Sequence, residues 1–339
     1  MIDFRYHLVS IVAVFLALAI GIVIGASALK PELLGAFNRA SSSEQRTINS
    51  QRTNIRALEN ELGTNQAFAQ SAAPLLLDNL LAGQQVALIT APGADATTVS
   101  GVTAALKLAG AKITTQVALQ PAFFGTSTAT RSSLEALAVQ VAPPGMVLQT
   151  PSGANSQIAG QQEAAQVLAA ALVTRNGSDL PADQTNLILH NFTQQGFLQL
   201  SPGGGSAPAQ ATLAVVIIPA SPPATDADPA NLALISVADE LSRSSRGVVV
   251  AGSLNGSGPG SAIDELINGS TGVPLSSVNN ADKEVGQIIV AQALASLLAG
   301  HQPQAYGVGA AVPTPAPTPS PTPSVTPTAA AAPRHAGRA

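Results

Sequence analysis

Leu8 through Leu29 (LVSIVAVFLALAIGIVIGASAL) carry no charged residue, and that run constrains the chain more than any other feature. At about 1.5 Å per residue it reaches roughly 33 Å as a helix, enough to cross a hydrocarbon core about 30 Å thick. Leu, Ile, Val and Phe dominate it, each favouring insertion by ~0.3–0.6 kcal/mol near the bilayer centre. The run starts close to the amino terminus and has no polar face, unlike a core helix. Two readings of it compete. Ala26-Ser27-Ala28 forms an A-x-A cleavage signature and Arg5 a short positive region, as in a secretory signal peptide. The apolar stretch before that site exceeds the ~7–15 residues of a signal core, which favours a retained single-pass anchor. Arg5 on one side and Lys30, Arg39 and Arg46 on the other nearly balance, so charge alone does not orient the span.

Ala17, Gly21 and Gly25 repeat every fourth residue along one side of this segment. Small residues at that spacing let two membrane helices approach closely, which points to a second copy of the chain as partner. Beyond Pro31 comes a polar stretch whose apolar positions keep a weak heptad register. Leu34, Ser41, Ile48, Ile55 and Leu62 fall seven apart, and Leu58 lies on the seam beside them with Phe37. Half of that second seam is polar. A long membrane-proximal helix is expected, either pairing as a short coiled coil through Ile48, Ile55, Leu58 and Leu62 or packing on its own domain.

From about residue 73 the pattern changes to short continuous apolar runs alternating with helical stretches. Gln85–Thr90, Lys112–Leu119, Thr212–Ile218 and Gly247–Ala251 read as buried strands. Pro74–Leu81, Thr97–Ala109, Thr130–Val141, Gln157–Thr174, Thr185–Gln194, Pro229–Ser242, Ala262–Asn268 and Ala281–Ala299 read as helices. Gly83 and Gly110 serve as stops, Asp95 as a cap, and Val273–Val278 as an added edge strand. Helix following strand at this spacing implies right-handed parallel crossovers. The fold expected is α/β: an N-terminal transmembrane helix (1–30), a coiled-coil segment (31–72), a doubly wound, mostly parallel α/β domain (73–308) and a disordered Pro/Thr-rich tail (309–339). Ser201–Gln210 reads as a linker inside the domain. Pro at alternate positions of 313–327 fixes polyproline II and removes backbone donors, so that stretch is expected not to pack.

Composition bounds the chemistry. Only 10% of residues are charged and 3% aromatic, with no Trp, which cannot furnish the aromatic girdles of a transmembrane β-barrel. A net charge of −4 offers no basic footprint for nucleic acid. The absence of Cys removes disulfides, thiolate metal sites and Cys nucleophiles. Met1 and Met146 are the only thioethers, and no two of the four His stand at helical ligand spacing. His190 and His301 are the pair that could converge in space.

The best candidate for a bound ligand is Gly252–Ser261 (GSLNGSGPGS), between a strand and a helix, where glycines could bring amides near a phosphate. It lacks the Lys of a Walker loop and the spacing of a dinucleotide fingerprint, and turn geometry explains its glycines equally well. The Pro92-Gly93 loop is a weaker candidate. No G-x-S-x-G elbow is present. Asp239-Glu240, Asp264-Glu265 and Asp282/Glu284 read as solvated faces or first-turn charges. No catalytic residues, resident cofactor or metal ligands are assigned.

The amino-terminal run Ile2-Asp3-Phe4-Arg5-Tyr6-His7-Leu8-Val9-Ser10, continuing through Ala13–Gly25, resembles the start of the mycobacterial copper transport protein family. The similarity continues in the coiled segment, in the strand start Gly83–Val86 and in the Thr90–Ala94 loop. It also extends to Ser277–Gln287 before the last helix and to His301 with Tyr306-Gly307. It covers about residues 1–309 and leaves the Pro/Thr tail outside. The resemblance implies an envelope protein of the actinobacterial type, assisting copper efflux or forming an outer-membrane pore, with copper as transported ion. The expected location is the cell membrane or envelope, with the bulk of the chain extracytoplasmic. The alternative is a non-transporting scaffold or binding module for envelope proteins or cell-wall polysaccharide.

Overall fold

The computed structural model describes residues 4–27, 31–149, 157–177, 180–201, 209–221, 229–268, 273–309, 312, 314 and 316–317, without the side chains of 4–5, 26–27 and 31–43. Most of the Ser201–Gln210 linker, the side chains of Leu34, Phe37 and Ser41, Met1, His335 and the tail beyond residue 317 lie outside them. The chain divides into two compact units, Met1–Asn65 and Gln66–Ala339.

In the first unit, α1 (Phe4–Ser27) contains one candidate membrane span, Tyr6–Gly25. α2 begins at Pro31, as suits a residue with no N–H to lose in the first turn, and runs to Leu77. Every described side chain from Tyr6 to Gly25 and from Glu44 to Asn65 is exposed.

The second unit is a three-layer sandwich built on one seven-stranded sheet, ordered β3-β2-β1-β4-β5-β6-β7. The strands are β1 (Gln85–Thr90), β2 (Lys112–Leu119), β3 (Leu198–Leu200), β4 (Leu213–Ile217), β5 (Gly247–Ala251), β6 (Ser276–Val278) and β7 (Ala305–Tyr306). All neighbours pair in parallel except β2 with β3. The helices are α3 (Ala96–Leu108), α4 (Thr128–Val141), α5 (Ala159–Leu172), α6 (Ala182–Gln194), α7 (Pro229–Ser244), α8 (Ala262–Ile267) and α9 (Glu284–Leu298).

Strand alternation sorts the core into two layers. Val86, Leu88, Val215 and Val249 face the end of α2, α3 and α9. Ala87, Ile89, Val216 and Val250 face α4, α5, α6 and α7. Burial on both faces is why these strands read as continuous apolar runs. α5 lies almost wholly inside the second layer. Its Gly160 allows the closest approach, since a Cβ there would fall 2.2 Å from the Arg131 carbonyl oxygen. Two of its polar side chains bond to backbone: Gln166 pairs with both the amide and the carbonyl of Gln149 at 2.8 Å, and Gln161 Nε2 donates to Gly125 O at 2.9 Å.

Three expectations need correction, and one strand is unanticipated. Pro74–Leu81 is not a separate helix; α2 passes through Pro74, because Ala69, Ala73 and Leu77 form an i, i+4, i+8 stripe buried in the core. The chain then turns through Asn79 to Gly83, both in the left-handed region. β6 is not an edge strand: it lies between β5 and β7, and Ser276 Oγ accepts the Gln304 amide just before β7. β3, which no sequence signal marked, closes the other edge as a three-residue antiparallel strand. Finally, two described residues of the Pro/Thr stretch, Thr314 and Ala316, do make contacts. Thr314 bridges Tyr306 in parallel and Ala316 touches the core, since residues between prolines keep their backbone donors and an edge tolerates proline.

Candidate functional site

The strand order reverses between β1 and β4. From β1 the chain steps outward to β2, and from β4 it steps the other way to β5. Loops leaving such a pair diverge to opposite faces and open a crevice at the carboxyl ends of the strands, the usual ligand position in open α/β sheets. The loop after β1 holds Pro92 and Gly93, the latter at φ +80°. It is tied to the β4 loop by Ala91 N–H to Ile217 O at 2.8 Å and Ala220 N–H to Gly93 O at 2.9 Å.

A cavity of about 780 Å³ extends from this loop along α3 to Gln120, with Val99, Thr103, Lys107 and Gln116 in its wall. A second, of about 280 Å³, shares Ala91, Pro92 and Pro121 with it and is closed by Phe124, Pro219 and Leu234. Together they form a mostly apolar surface whose polar groups are neutral hydroxyls and amides, and Lys107 is the one charged side chain among the described lining residues. The arrangement suits a largely apolar ligand with a few polar groups.

The end of α3 beside the crevice is already occupied. Asp95 caps it, accepting from Thr98 N at 2.9 Å, Thr98 Oγ1 at 3.1 Å and Thr97 Oγ1. The bond from the Thr97 side chain, then that from the Thr98 amide, holds this carboxyl below its ordinary range. Its negative charge stands where a phosphate would otherwise sit.

The Gly252–Ser261 loop uses its own donors. Gly256 N donates to Ser253 Oγ at 3.0 Å, Ser257 N to Leu254 O at 3.4 Å, Ser261 N to Gly258 O at 3.1 Å and Gly260 N to Asp264 Oδ2 at 3.1 Å. Two of its glycines answer to packing: a Cβ on Gly252 would lie 2.5 Å from Ile218 Cγ1, and one on Gly256 2.2 Å from Pro219 O. The acidic clusters are likewise engaged. Asp239 pairs with Arg243 at 2.9 Å, Asp282 with Lys283 at 3.2 Å, and Asp264 holds Asn268 Nδ2 at 2.9 Å. Burial, then the neighbouring Asp239, raises the Glu240 carboxyl above its usual range.

His190 on α6 and His301 after α9 are both exposed and stand on separate elements; His301 Nδ1 lies 3.1 Å from Ser296 O. Met146 packs half-buried against the core. Among the described residues no group of three or more His, Asp or Glu is placed to hold a metal ion. Ala17, Gly21 and Gly25 share one face of α1, and a Cβ on either glycine would meet nothing within 4 Å. Ile48, Ile55, Leu58 and Leu62 are 42–64% exposed on α2. Sequence reasoning singled out the glycine loop and overlooked Thr103, Gln116 and Gln120, which only the strand order brings together.

A family model described as "Copper transport outer membrane protein, MctB" matches residues 1–317. Proteins named "Copper transporter MctB" from Mycobacterium tuberculosis (strain H37Rv) and Mycobacterium bovis are 26% identical over 318 residues, covering 91% of this chain and 97% of theirs. The Mycobacterium leprae protein of the same name is 26% identical over 314 residues, with the same coverage.

Proposed function

The chain belongs to the MctB family of copper transport outer membrane proteins, and from that membership we propose that it is a single-pass envelope protein that assists copper efflux as a homo-oligomer. The observation that carries this reading is the family match through residue 317, which takes in the span, the long helix and the α/β domain together. Copper is cargo in this reading. The donor set supports no resident soft-metal centre, since the sequence lacks Cys and Met146 packs against the core.

Self-association is the means by which a chain with one span contributes to passage across a membrane. It is supported by the open Ala17/Gly21/Gly25 face of α1 and by the exposed Ile48, Ile55, Leu58 and Leu62 on α2. The α/β domain is placed outside the cytoplasm, on the strength of the Pro/Thr-rich tail.

The test is deletion of the gene followed by copper challenge, with cell-associated copper measured. The expected outcome is growth inhibition together with copper accumulation, both reversed by the intact chain and only weakly by one carrying Gly21→Leu and Gly25→Leu. Unchanged cellular copper in the deletion strain overturns the efflux role. Full rescue by the double variant overturns the part assigned to the glycines.

A further inference from the structure

The end of the sheet opposite the crevice has a different character. A small cavity of about 160 Å³ lies there, between the amino ends of β5 and β6 and the chain leaving α9. Arg175, Arg246 and His301 stand in its wall beside Ser242 and Ser276, and no Asp or Glu is among its described lining residues. In a chain of net charge −4, such a gathering of basic side chains, two of them arginines, without a counter-charge is unexpected.

Local packing accounts for only part of it. Arg175 Nη2 donates to Ser242 O at 2.8 Å near the end of α7, and His301 Nδ1 lies against Ser296 O near the end of α9. Those contacts satisfy carbonyls at helix C-termini, where cations are favoured. They use one nitrogen of each side chain. Arg246 is anchored by its backbone, N–H to Thr212 O at 2.9 Å. The ion pairs among the described residues, Arg243–Asp239 and Lys283–Asp282, involve neither Arg246 nor Arg175. Ser276 Oγ accepts from Gln304 N at 3.2 Å, which leaves its proton to donate.

We infer that this cavity binds a phosphate group. Guanidinium forks match the paired oxygens of phosphate, and a serine hydroxyl supplies a further donor. The volume is that of roughly five water molecules at about 30 Å³ each, room for one tetrahedral oxyanion with little else. The group comes either from inorganic phosphate or from the headgroup of an anionic phospholipid.

The test uses the full chain in an uncharged detergent, titrated calorimetrically with inorganic phosphate and separately with micelles containing phosphatidylglycerol or phosphatidylcholine. Arg246→Gln, at an exposed position with only a backbone tether, is expected to melt like the parent and to weaken binding about tenfold. Lys107→Gln, in the crevice at the other end of the sheet, is expected to leave binding unchanged. Phosphate binding alone identifies a soluble anion. Binding of phosphatidylglycerol but not phosphatidylcholine identifies a headgroup. Failure of both probes, or binding lost in Lys107→Gln but retained in Arg246→Gln, overturns the inference.

Discussion

Gly256 and Gly258 stand two residues apart in the same glycine-rich loop, and alanine at these two positions is expected to have unequal effects. A Cβ on Gly256 would fall 2.2 Å from Pro219 O and 3.1 Å from the Ala220 carbonyl carbon, whereas one on Gly258 would find nothing nearer than Asn255 O at 3.6 Å. Relief at Gly256 requires the loop to lift by about 1 Å from a backbone that cannot yield as a side-chain tip would. That displacement strains the bonds from Ser253 Oγ to Ala220 O at 3.1 Å and from Gly256 N to Ser253 Oγ at 3.0 Å. Overpacking at ~1–3 kcal/mol and a weakened hydrogen bond at ~0.5–1.5 kcal/mol together give a cost of about 1.5–4.5 kcal/mol. For a folded unit of this size that lowers the melting temperature by about 3–18 °C. Gly258→Ala should stay within ~0.5 kcal/mol of the parent. Far-UV circular dichroism melts of the full chain in detergent check both variants. Equal melting temperatures for Gly256→Ala and the parent would refute the packing argument, and with it the reason for setting aside a phosphate cradle at this loop.

Asp95→Ala removes the cap of α3 and should lower the melting temperature at neutral pH. Because the carboxyl is depressed in the folded state, its contribution is present above the unfolded value near pH ~4 and is lost as pH falls through the folded one, so parent and variant should converge in acid. Glu240 has the opposite sign. Its raised carboxyl favours the folded state only below its unfolded value, so Glu240→Gln should melt higher than the parent at pH ~7 and lose that advantage near pH ~4. Leu88→Ala, at a fully buried position in the interior strand β1, should cost ~2–5 kcal/mol by chemical denaturation. A smaller loss would mean that α3 and α9 close over the space.

The legible part of the fold is the part where one physical term dominates. Val86–Ile89, Leu213–Ile218 and Val248–Val250 are apolar at every position because both faces of the sheet are covered, and they read as strands without ambiguity. β3 and β7, three and two residues long, are held by pairing with a longer neighbour, and no pattern that short stands out from its surroundings. Pro74 was misleading for a related reason. Proline usually opens a helix, but here the buried Ala69, Ala73 and Leu77 carry α2 past it. The crevice follows from the order of strands in the sheet, which depends on pairing between segments more than a hundred residues apart, as β1 with β4. The glycine loop was visible, but the close approach of Gly256 to Pro219 was not. Arg175, Arg246 and His301 come from three segments and share no local pattern.

The proposed assembly also has an energetic logic that assigns different tasks to the two helices of the first unit. At ~1.5–3 kcal/mol for each fully exposed side chain, and with about half of Ile48, Ile55, Leu58 and Leu62 (42–64% exposed) left to bury, pairing contributes at most ~6–12 kcal/mol for the two chains together. Association of free molecules costs ~4–15 kcal/mol in lost translation and rotation, before any side-chain ordering. The seam alone is therefore marginal in solution, as befits a helix with polar residues in half of one seam. Confinement of α1 to a bilayer changes that balance. It removes most of the translational freedom beforehand and raises the effective concentration of one α2 around another, as a linker does for tandem binding modules. Close packing at Gly21 and Gly25 adds contact where lipid offers no hydrophobic drive. In the proposed assembly the span and the seam act together, so pairing is expected of the anchored chain and not of α2 released from the membrane.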